Sequence, residues 1–339
     1  MQKIQPLELP KQLPTPGALK SWNQNEHDYE PEFWEFQYEI YRYLKNVADD
    51  KLDERYRDIH RNFFILVRPE RYVIPVNSLL SSWYWYRKEH QTRYEYFLRN
   101  RPLPLPLPAP RGAFSAPIRP KGPNSCDIIF RYGDSKFMKP FFESGEIRIS
   151  PASVYKDGPV YDPRTDDELN IYRHLPGEHS RITTKEGKEI PIIGDVRETY
   201  SIPMNYFTLC MSCDFEPHIF DEFGYDSCVI IREPEQFAAR LEASANSILP
   251  NWYFHHNPVE YFDPYEPYKN QYLDPVMCKD FRFAYQMEYR VIWHPEDHGS
   301  AKDYLTLSIG SLKDICDFYI YDKSWLNDSL HWIGKKRRL

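Results

Sequence analysis

A run of prolines divides this chain of 339 residues into two regions of different character. Eight prolines lie between residues 102 and 123, and the first four alternate with leucine. Alternating proline and leucine favour extended polyproline II structure, and proline interrupts both helices and sheet interiors. The sequence therefore predicts a linker at 102–124 between two packed regions. Two interpretations of the linker remain open, a stiff spacer and a Pro-rich ligand for a partner.

The region before the linker predicts helices. Residues 1–30 are polar and contain several prolines, which is typical of an extended lead-in. Within 31–101, three stretches repeat their apolar residues with a helical period. Pro31 suits the first turn of the first helix, and Asn77 or Ser78 is expected to cap the third. The sequence thus predicts a helical accessory module at 31–101.

The region after the linker predicts an α+β domain at 125–322, followed by a basic tail at 323–339. Short apolar runs typical of strands alternate with helix patterns there. One such helix is bounded by a cap at Asp134 and a terminating Gly145. Residues 155–200 form a polar, turn-rich stretch, and loops of this length in compact domains are commonly functional.

The segment FRFAYQMEYRVIW, residues 281–293, is predicted to be one long strand. Side chains alternate across a strand, so Gln286 and Glu288 are expected on one face, roughly 7 Å apart. The opposite face is expected to belong to the core and carries Phe283, Tyr285, Met287, Tyr289, Val291 and Trp293. Alternation by itself favours a plain exposed face without function.

Composition and motifs exclude several classes of protein. The chain carries 50 acidic and 43 basic residues, and this net charge of -7 argues against a general coat for nucleic acid. No apolar run approaches the roughly 20 residues of a membrane span, and the N-terminus lacks the apolar core of a secretion signal. The sequence has no Gly-rich phosphate loop, no GxSxG and no HExxH. A cytoplasmic protein without membrane contact is expected.

The six cysteines are spread over the chain, which is typical of free thiols in a reducing compartment. Cys210 and Cys213 form the one CxxC motif. A metal or redox role and a pair of buried thiols are both compatible with it, and no second pair completes a zinc site. We expect no bound metal.

Three short motifs in sequence order resemble the ADP-ribosyltransferases of the arginine–serine–glutamate class, which includes clostridial toxins. Arg131 lies at the end of the apolar run that begins at Ile128, Ser212 lies in the next strand pattern, and Gln286-x-Glu288 resembles the third motif. Cysteines flank Ser212, whereas the family usually has Ser-Thr-Ser there.

The resemblance implies an ADP-ribosyltransferase-like fold with a split mixed β-sheet, NAD as substrate and a protein or nucleic-acid acceptor. It implies catalytic roles for Glu288, Gln286 and Arg131. It also implies that NAD is bound by Arg131 together with Ser212, Tyr155 and Tyr132. Bacterial proteins of this kind often serve as toxins in toxin–antitoxin or phage-defence systems, so the resemblance also implies an antitoxin or chaperone partner.

The chemistry of NAD cleavage is consistent with the roles of Glu288, Arg131 and Ser212. Cleavage of the bond between ribose C1′ and nicotinamide gives the ribose oxocarbenium character, and a fixed carboxylate such as Glu288 stabilises that cation. The guanidinium of Arg131 suits phosphate, and a hydrogen bond from Ser212 is expected to orient Glu288.

The segments Phe130–Tyr132, Ser150–Asp157 and Glu288–Arg290 also resemble a widespread, uncharacterised bacterial domain family that is expected to have a transferase-like fold. Two rival functions remain for the chain. One is an NAD glycohydrolase, in which water replaces the acceptor. The other is a non-catalytic interaction protein on the same fold.

Overall fold

The computed structural model describes residues 31–68, 71, 74, 78–105, 126–156, 165–266, 273–296 and 299–321. The predicted lead-in at 1–30, most of the Pro-rich linker and the basic tail at 323–339 lie outside the described residues.

The three predicted N-terminal helices are present, as α1 (Pro31–Tyr41), α2 (Asp49–Leu66) and α3 (Ser82–Leu98). The predicted cap of α3 is wrong for Ser78, while Asn77 lies outside the described residues. Ser78 Oγ instead accepts a hydrogen bond from the N–H of Leu80 in the preceding turn. The helix begins later, where Ser81 Oγ accepts from the N–H of Trp83.

The following α+β region contains three further helices and fourteen strands among the described residues. The helices are α4 (Ser135–Ser144), α5 (His218–Phe223) and α6 (Pro234–Ala245). The strands are β1 (Ile129–Gly133), β2 (Glu146–Pro151), β3 (Asn170–Leu175), β4 (Ile182–Thr183), β5 (Glu189–Ile190), β6 (Val196–Ser201), β7 (Phe207–Ser212), β8 (Ser227–Ile231), β9 (Trp252–Pro258), β10 (Glu260–Phe262), β11 (Cys278–Asp280), β12 (Glu288–Pro295), β13 (Leu305–Ser308) and β14 (Cys316–Ile320).

Eight of these strands form one antiparallel sheet around β7. Along one edge of β7, β12 pairs over six residues, and β9 pairs with the far side of β12. Along the other edge, β2 pairs with Phe207 and Thr208, whereas β1 pairs only at Ser212. The sheet therefore splits between β2 and β1. It differs from the expected mixed sheet, because parallel pairing within the described residues is confined to β10 and β11.

The long strand predicted for residues 281–293 is wrong in its first half. Phe281–Gln286 is a 3-10 helix, Met287 has a left-handed backbone with φ of 47°, and β12 begins at Glu288. The alternating pattern is misleading here because nearly every residue of the 3-10 segment is buried, at odd and even positions alike. From Glu288 onward the strand is present, and Tyr289, Val291 and Trp293 belong to one buried cluster, as predicted for the core face.

The helices and the sheet share one apolar core. Ile59 and Ile65 of α2 and Trp85 of α3 belong to the same buried cluster as Val291 and Trp293 of β12. Trp85 stacks on Phe281 at 5.8 Å between ring centroids. The N-terminal helices consequently pack directly behind the segment that leads to Glu288.

The expectation of free cysteines is wrong for one pair. Cys126, just before β1, forms a disulfide with Cys213, just after β7, across 87 residues of sequence. Cys210 is free, so the two cysteines of the CxxC motif are not paired with each other. The bridge joins the end of the strand that contains Ser212 to the approach of the strand that contains Arg131.

The polar stretch at 155–200 has more secondary structure than a loop. In its described part, β3 pairs with β6, and β4 pairs with β5 as a small hairpin. The β4–β5 turn coincides with the turn residues of the sequence around Gly187.

Candidate active site

A hollow of about 150 Å³ opens where the sheet splits. All six residues predicted from the sequence line it: Arg131, Tyr132, Tyr155, Ser212, Gln286 and Glu288. Glu168, Cys210 and Lys279 also line it. Pockets that enclose a whole drug-sized ligand are larger, about 300–1,000 Å³, so this hollow accommodates one ring-sized part of a larger molecule.

Three neighbouring strands meet at the hollow in a fixed register. Phe130 of β1 lies opposite Ser212 of β7, and Ser212 lies opposite Glu288 of β12. Ser212 lies opposite Phe130, and neighbouring residues of a strand point to opposite faces, so Arg131 leaves the sheet on the face opposite to Ser212. Its side chain still lines the hollow, which opens where the sheet splits. Its Nη1 donates to the carbonyl of Cys210 at 2.7 Å, on the edge of β7 left open between β2 and β1.

Glu288 begins β12 and is 3% exposed. Each oxygen of its carboxylate accepts one hydrogen bond, from Arg290 Nε at 2.7 Å and from Lys279 Nζ at 2.8 Å. Its N–H donates to the hydroxyl of Tyr261 at 2.8 Å. Glu288 and Arg290 are two residues apart on β12, so both side chains lie on the same face of the sheet. The hydrogen bond between them fixes both side chains within the fold.

Five charged side chains form one buried cluster beside the hollow. Arg290 Nη2 lies 2.8 Å from Glu168, and Lys279 Nζ lies 3.4 Å from Glu168 and 3.5 Å from Asp166. With Glu288, three carboxyl groups thus face two cations. The five buried groups together carry one negative unit when all are ionised, and the half-exposed Arg282, which lies 3.7 Å from Asp166, partly offsets it.

Burial and neighbouring charges set the pKa values in this cluster. Burial alone would raise the pKa of Glu288, but the charges of Arg290 and Lys279 outweigh it and lower the pKa to about 2. Burial raises the pKa of Glu168 and of Asp166 despite the same cations. Glu288 is therefore an anion at neutral pH, whereas Glu168 and Asp166 bind protons more readily than ordinary carboxyls.

Ser212 supports the backbone next to Glu288 and makes no hydrogen bond to its carboxylate, so the expected hydrogen bond is wrong. Ser212 Oγ lies 2.7 Å from the carbonyl oxygen of Gln286 and 2.8 Å from that of Asp214. Tyr132 is also bound to the backbone, because its hydroxyl accepts from the N–H of Glu216 at 2.7 Å. The Ser212 hydroxyl thus joins the end of β7 to the backbone before Glu288, and the Tyr132 hydroxyl joins β1 to the backbone that follows β7.

Tyr155 and Cys210 complete the wall near β2. Tyr155 lies in a 3-10 turn directly after β2, and burial raises its pKa, so the phenol is neutral. Burial, followed by the charge of Glu288, raises the pKa of Cys210 to about 12. A thiol with this pKa is protonated at neutral pH, which argues against nucleophilic catalysis by Cys210.

Glu168 and Lys279 were not predicted from the sequence. Glu168 lies in the acidic run 166–168 of the long polar stretch, and Lys279 lies in the short strand β11. The length of the polar stretch is the one signal in the sequence that points to Glu168. Nothing local marks Lys279, because only the fold brings β11 beside Glu288.

Comparisons with known proteins found no match for this chain among family models, curated proteins or solved structures. Within the described residues, no group of His, Cys, Asp and Glu side chains could hold a metal ion. None of the described helices combines the length and apolarity that crossing a membrane requires.

Proposed function

We propose that this protein is an NAD-dependent ADP-ribosyltransferase that acts on a macromolecule. The observation that supports the proposal is the meeting of Arg131, Ser212 and Glu288, from three adjacent strands, around one hollow at the split of the sheet. These are the three motif residues of the resemblance, and they come from positions 131, 212 and 288 of the sequence.

Glu288 supplies the fixed negative charge of the reaction. The C1′–nicotinamide bond breaks with its electron pair leaving on nicotinamide, and the ribose becomes a cation until the acceptor attacks C1′ and releases a proton. The ionised carboxylate of Glu288 stabilises that cation more than the ground state, which is the condition for faster turnover. Its two oxygens each retain a lone pair for the ribose hydroxyls.

Lys279 and Arg290 oppose this effect, since they neutralise much of the charge on Glu288. Glu168 restores the balance by forming ion pairs with the same two cations. The five buried groups therefore keep a net negative charge beside the hollow as long as Glu168 and Asp166 are both ionised. The cluster lies in the low-dielectric interior, and its ion pairs fix its side chains before the substrate binds.

Arg131 is the residue assigned to the diphosphate. Nη1 bonds the carbonyl of Cys210, and Nε has no hydrogen-bond partner among the described residues. A guanidinium presents several donors in a fixed plane, which suits phosphate oxygens. The hollow takes the nicotinamide ring beside Tyr155, and the rest of NAD extends outward past Arg131. Gln286 is assigned to the acceptor side.

The test is incubation of the purified chain with NAD labelled in its adenylate part, alone and with a cell lysate that is afterwards separated into protein and RNA fractions. We expect label in one macromolecular fraction and release of nicotinamide. Glu288→Gln, which keeps the shape of the side chain, is expected to abolish both. Glu242→Gln on the exposed side of α6 is the matched control and should retain both.

Two results contradict the proposal in different ways. Free ADP-ribose without any labelled macromolecule identifies an NAD glycohydrolase. Absence of NAD turnover, together with a growth effect in cells that Glu288→Gln leaves unchanged, identifies a non-catalytic interaction protein. The toxin role and the antitoxin or chaperone partner follow only if the wild-type chain arrests growth and Glu288→Gln does not.

A further inference from the structure

One fully buried amide of helix α2 holds the backbone that leads to Glu288. Asn62 is 0% exposed. Its Nδ2 lies 2.9 Å from the carbonyl oxygen of Asp58 in the same helix, 3.0 Å from that of Arg282 and 3.3 Å from that of Phe281. Its Oδ1 accepts from the N–H of Tyr285 at 2.7 Å. A single side chain thus satisfies backbone groups at both ends of the 3-10 segment.

This segment ends in a conformation that must be held from outside. Met287 has φ of 47°, a left-handed backbone that residues with a side chain rarely adopt. Its carbonyl accepts from the N–H of Cys213 at 2.6 Å, and Ser212 bonds the carbonyl of Gln286. Those contacts hold the segment from the side of β7, while Asn62 holds it from the side of α2.

We infer that Asn62 is a positioning residue of the active site, through which helix α2 sets the placement of Gln286 and Glu288 in the hollow. An apolar side chain at position 62 would fill the space but remove the acceptor of the Tyr285 N–H and the amide donor to the carbonyl oxygens of Phe281 and Arg282. The 3-10 segment would then shift toward other partners. The inference rests on the proposed function and gives the N-terminal helices a role in catalysis.

The first experiment compares NAD turnover of Asn62→Ala and Asn62→Asp with that of Leu52→Ala. Leu52 is equally buried on the same helix but belongs to a separate apolar cluster, so its truncation destabilises the helix without touching the 281–287 segment. We expect Asn62→Ala to lower kcat by about 10- to 100-fold with KM within about threefold, as small displacements of reacting groups do. Leu52→Ala should retain kcat within about twofold while it is folded.

Asn62→Asp provides the conservative variant if Asn62→Ala does not fold. It keeps the acceptor for the Tyr285 N–H, and burial favours its neutral form, which retains one O–H donor in place of the amide, so its kcat should fall between those of the wild type and Asn62→Ala. If both variants lose no more kcat than Leu52→Ala at matched stability, the positioning role is overturned.

A second readout does not depend on catalysis. The unfolding equilibria of Asn62→Ala, Glu288→Gln and the double variant form a thermodynamic cycle. The two side chains make no direct hydrogen bond, so a merely local role of Asn62 predicts additive effects. Positioning predicts coupling of at least about threefold in the unfolding constant. If no variant and no wild-type protein turns over NAD, the proposed function fails, and this cycle alone decides the role of Asn62, with additivity overturning it.

Discussion

Replacement of Glu288 by glutamine should destabilise the fold at neutral pH and much less in acid. The pKa of this carboxyl is about 2 in the folded protein, against an ordinary value of 4.5. Because the folded-state pKa is depressed, the stabilisation is fully present above pH 4.5 and is lost as the pH falls towards 2. The difference corresponds to about 3 kcal/mol of unfolding free energy at pH 7. Loss of one partner from a buried ion pair typically costs a similar amount.

The assay is urea denaturation, followed by tryptophan fluorescence, of the wild type and Glu288→Gln at pH 7 and pH 3. The gap in unfolding free energy is expected to shrink from about 3 kcal/mol to roughly half of that at pH 3. Glu242→Gln on the exposed face of α6 is the control and should stay within about 0.5 kcal/mol of the wild type at both pH values. A Glu288→Gln variant as stable as the wild type at pH 7, or a gap that does not change with pH, refutes the reasoning.

Glu168→Gln should slow NAD turnover at neutral pH and reduce the further loss of turnover as the pH falls. In the wild type, turnover is expected to fall at a pH above the ordinary pKa of glutamate, because burial raises the pKa of Glu168 and its protonation removes the net negative charge of the five buried groups. The pH–rate profiles of both proteins test this prediction. Arg131→Lys keeps the charge but loses the planar donors, so KM for NAD should rise about tenfold with a smaller change in kcat. Steady-state kinetics that show an unchanged KM contradict the phosphate role. Replacement of Cys126 and Cys213 by serine should lower the unfolding free energy by about 2–4 kcal/mol in oxidising buffer. The difference from the wild type should disappear once the wild-type disulfide is reduced.

The helices could be predicted from the sequence because their signal is local. Apolar residues recur with a helical period in α1, α2 and α3, and a buried face of a helix requires that spacing wherever it packs. The boundaries of α4 were equally readable, since Gly145 ends it with φ of 70°, a conformation that glycine adopts readily. The order of Arg131, Ser212 and Glu288 along the chain is likewise a property of the sequence alone.

Tertiary structure alone decided how these residues meet. The segment 281–286 has the alternation of a strand, but α2 and Asn62 cover it and satisfy its backbone, so it becomes a 3-10 helix. Lys279 and Glu168 join Glu288 from separate parts of the chain. A periodic pattern records only which side of one element is buried, whereas the charge on a carboxylate depends on whatever the fold brings within a few ångströms of it.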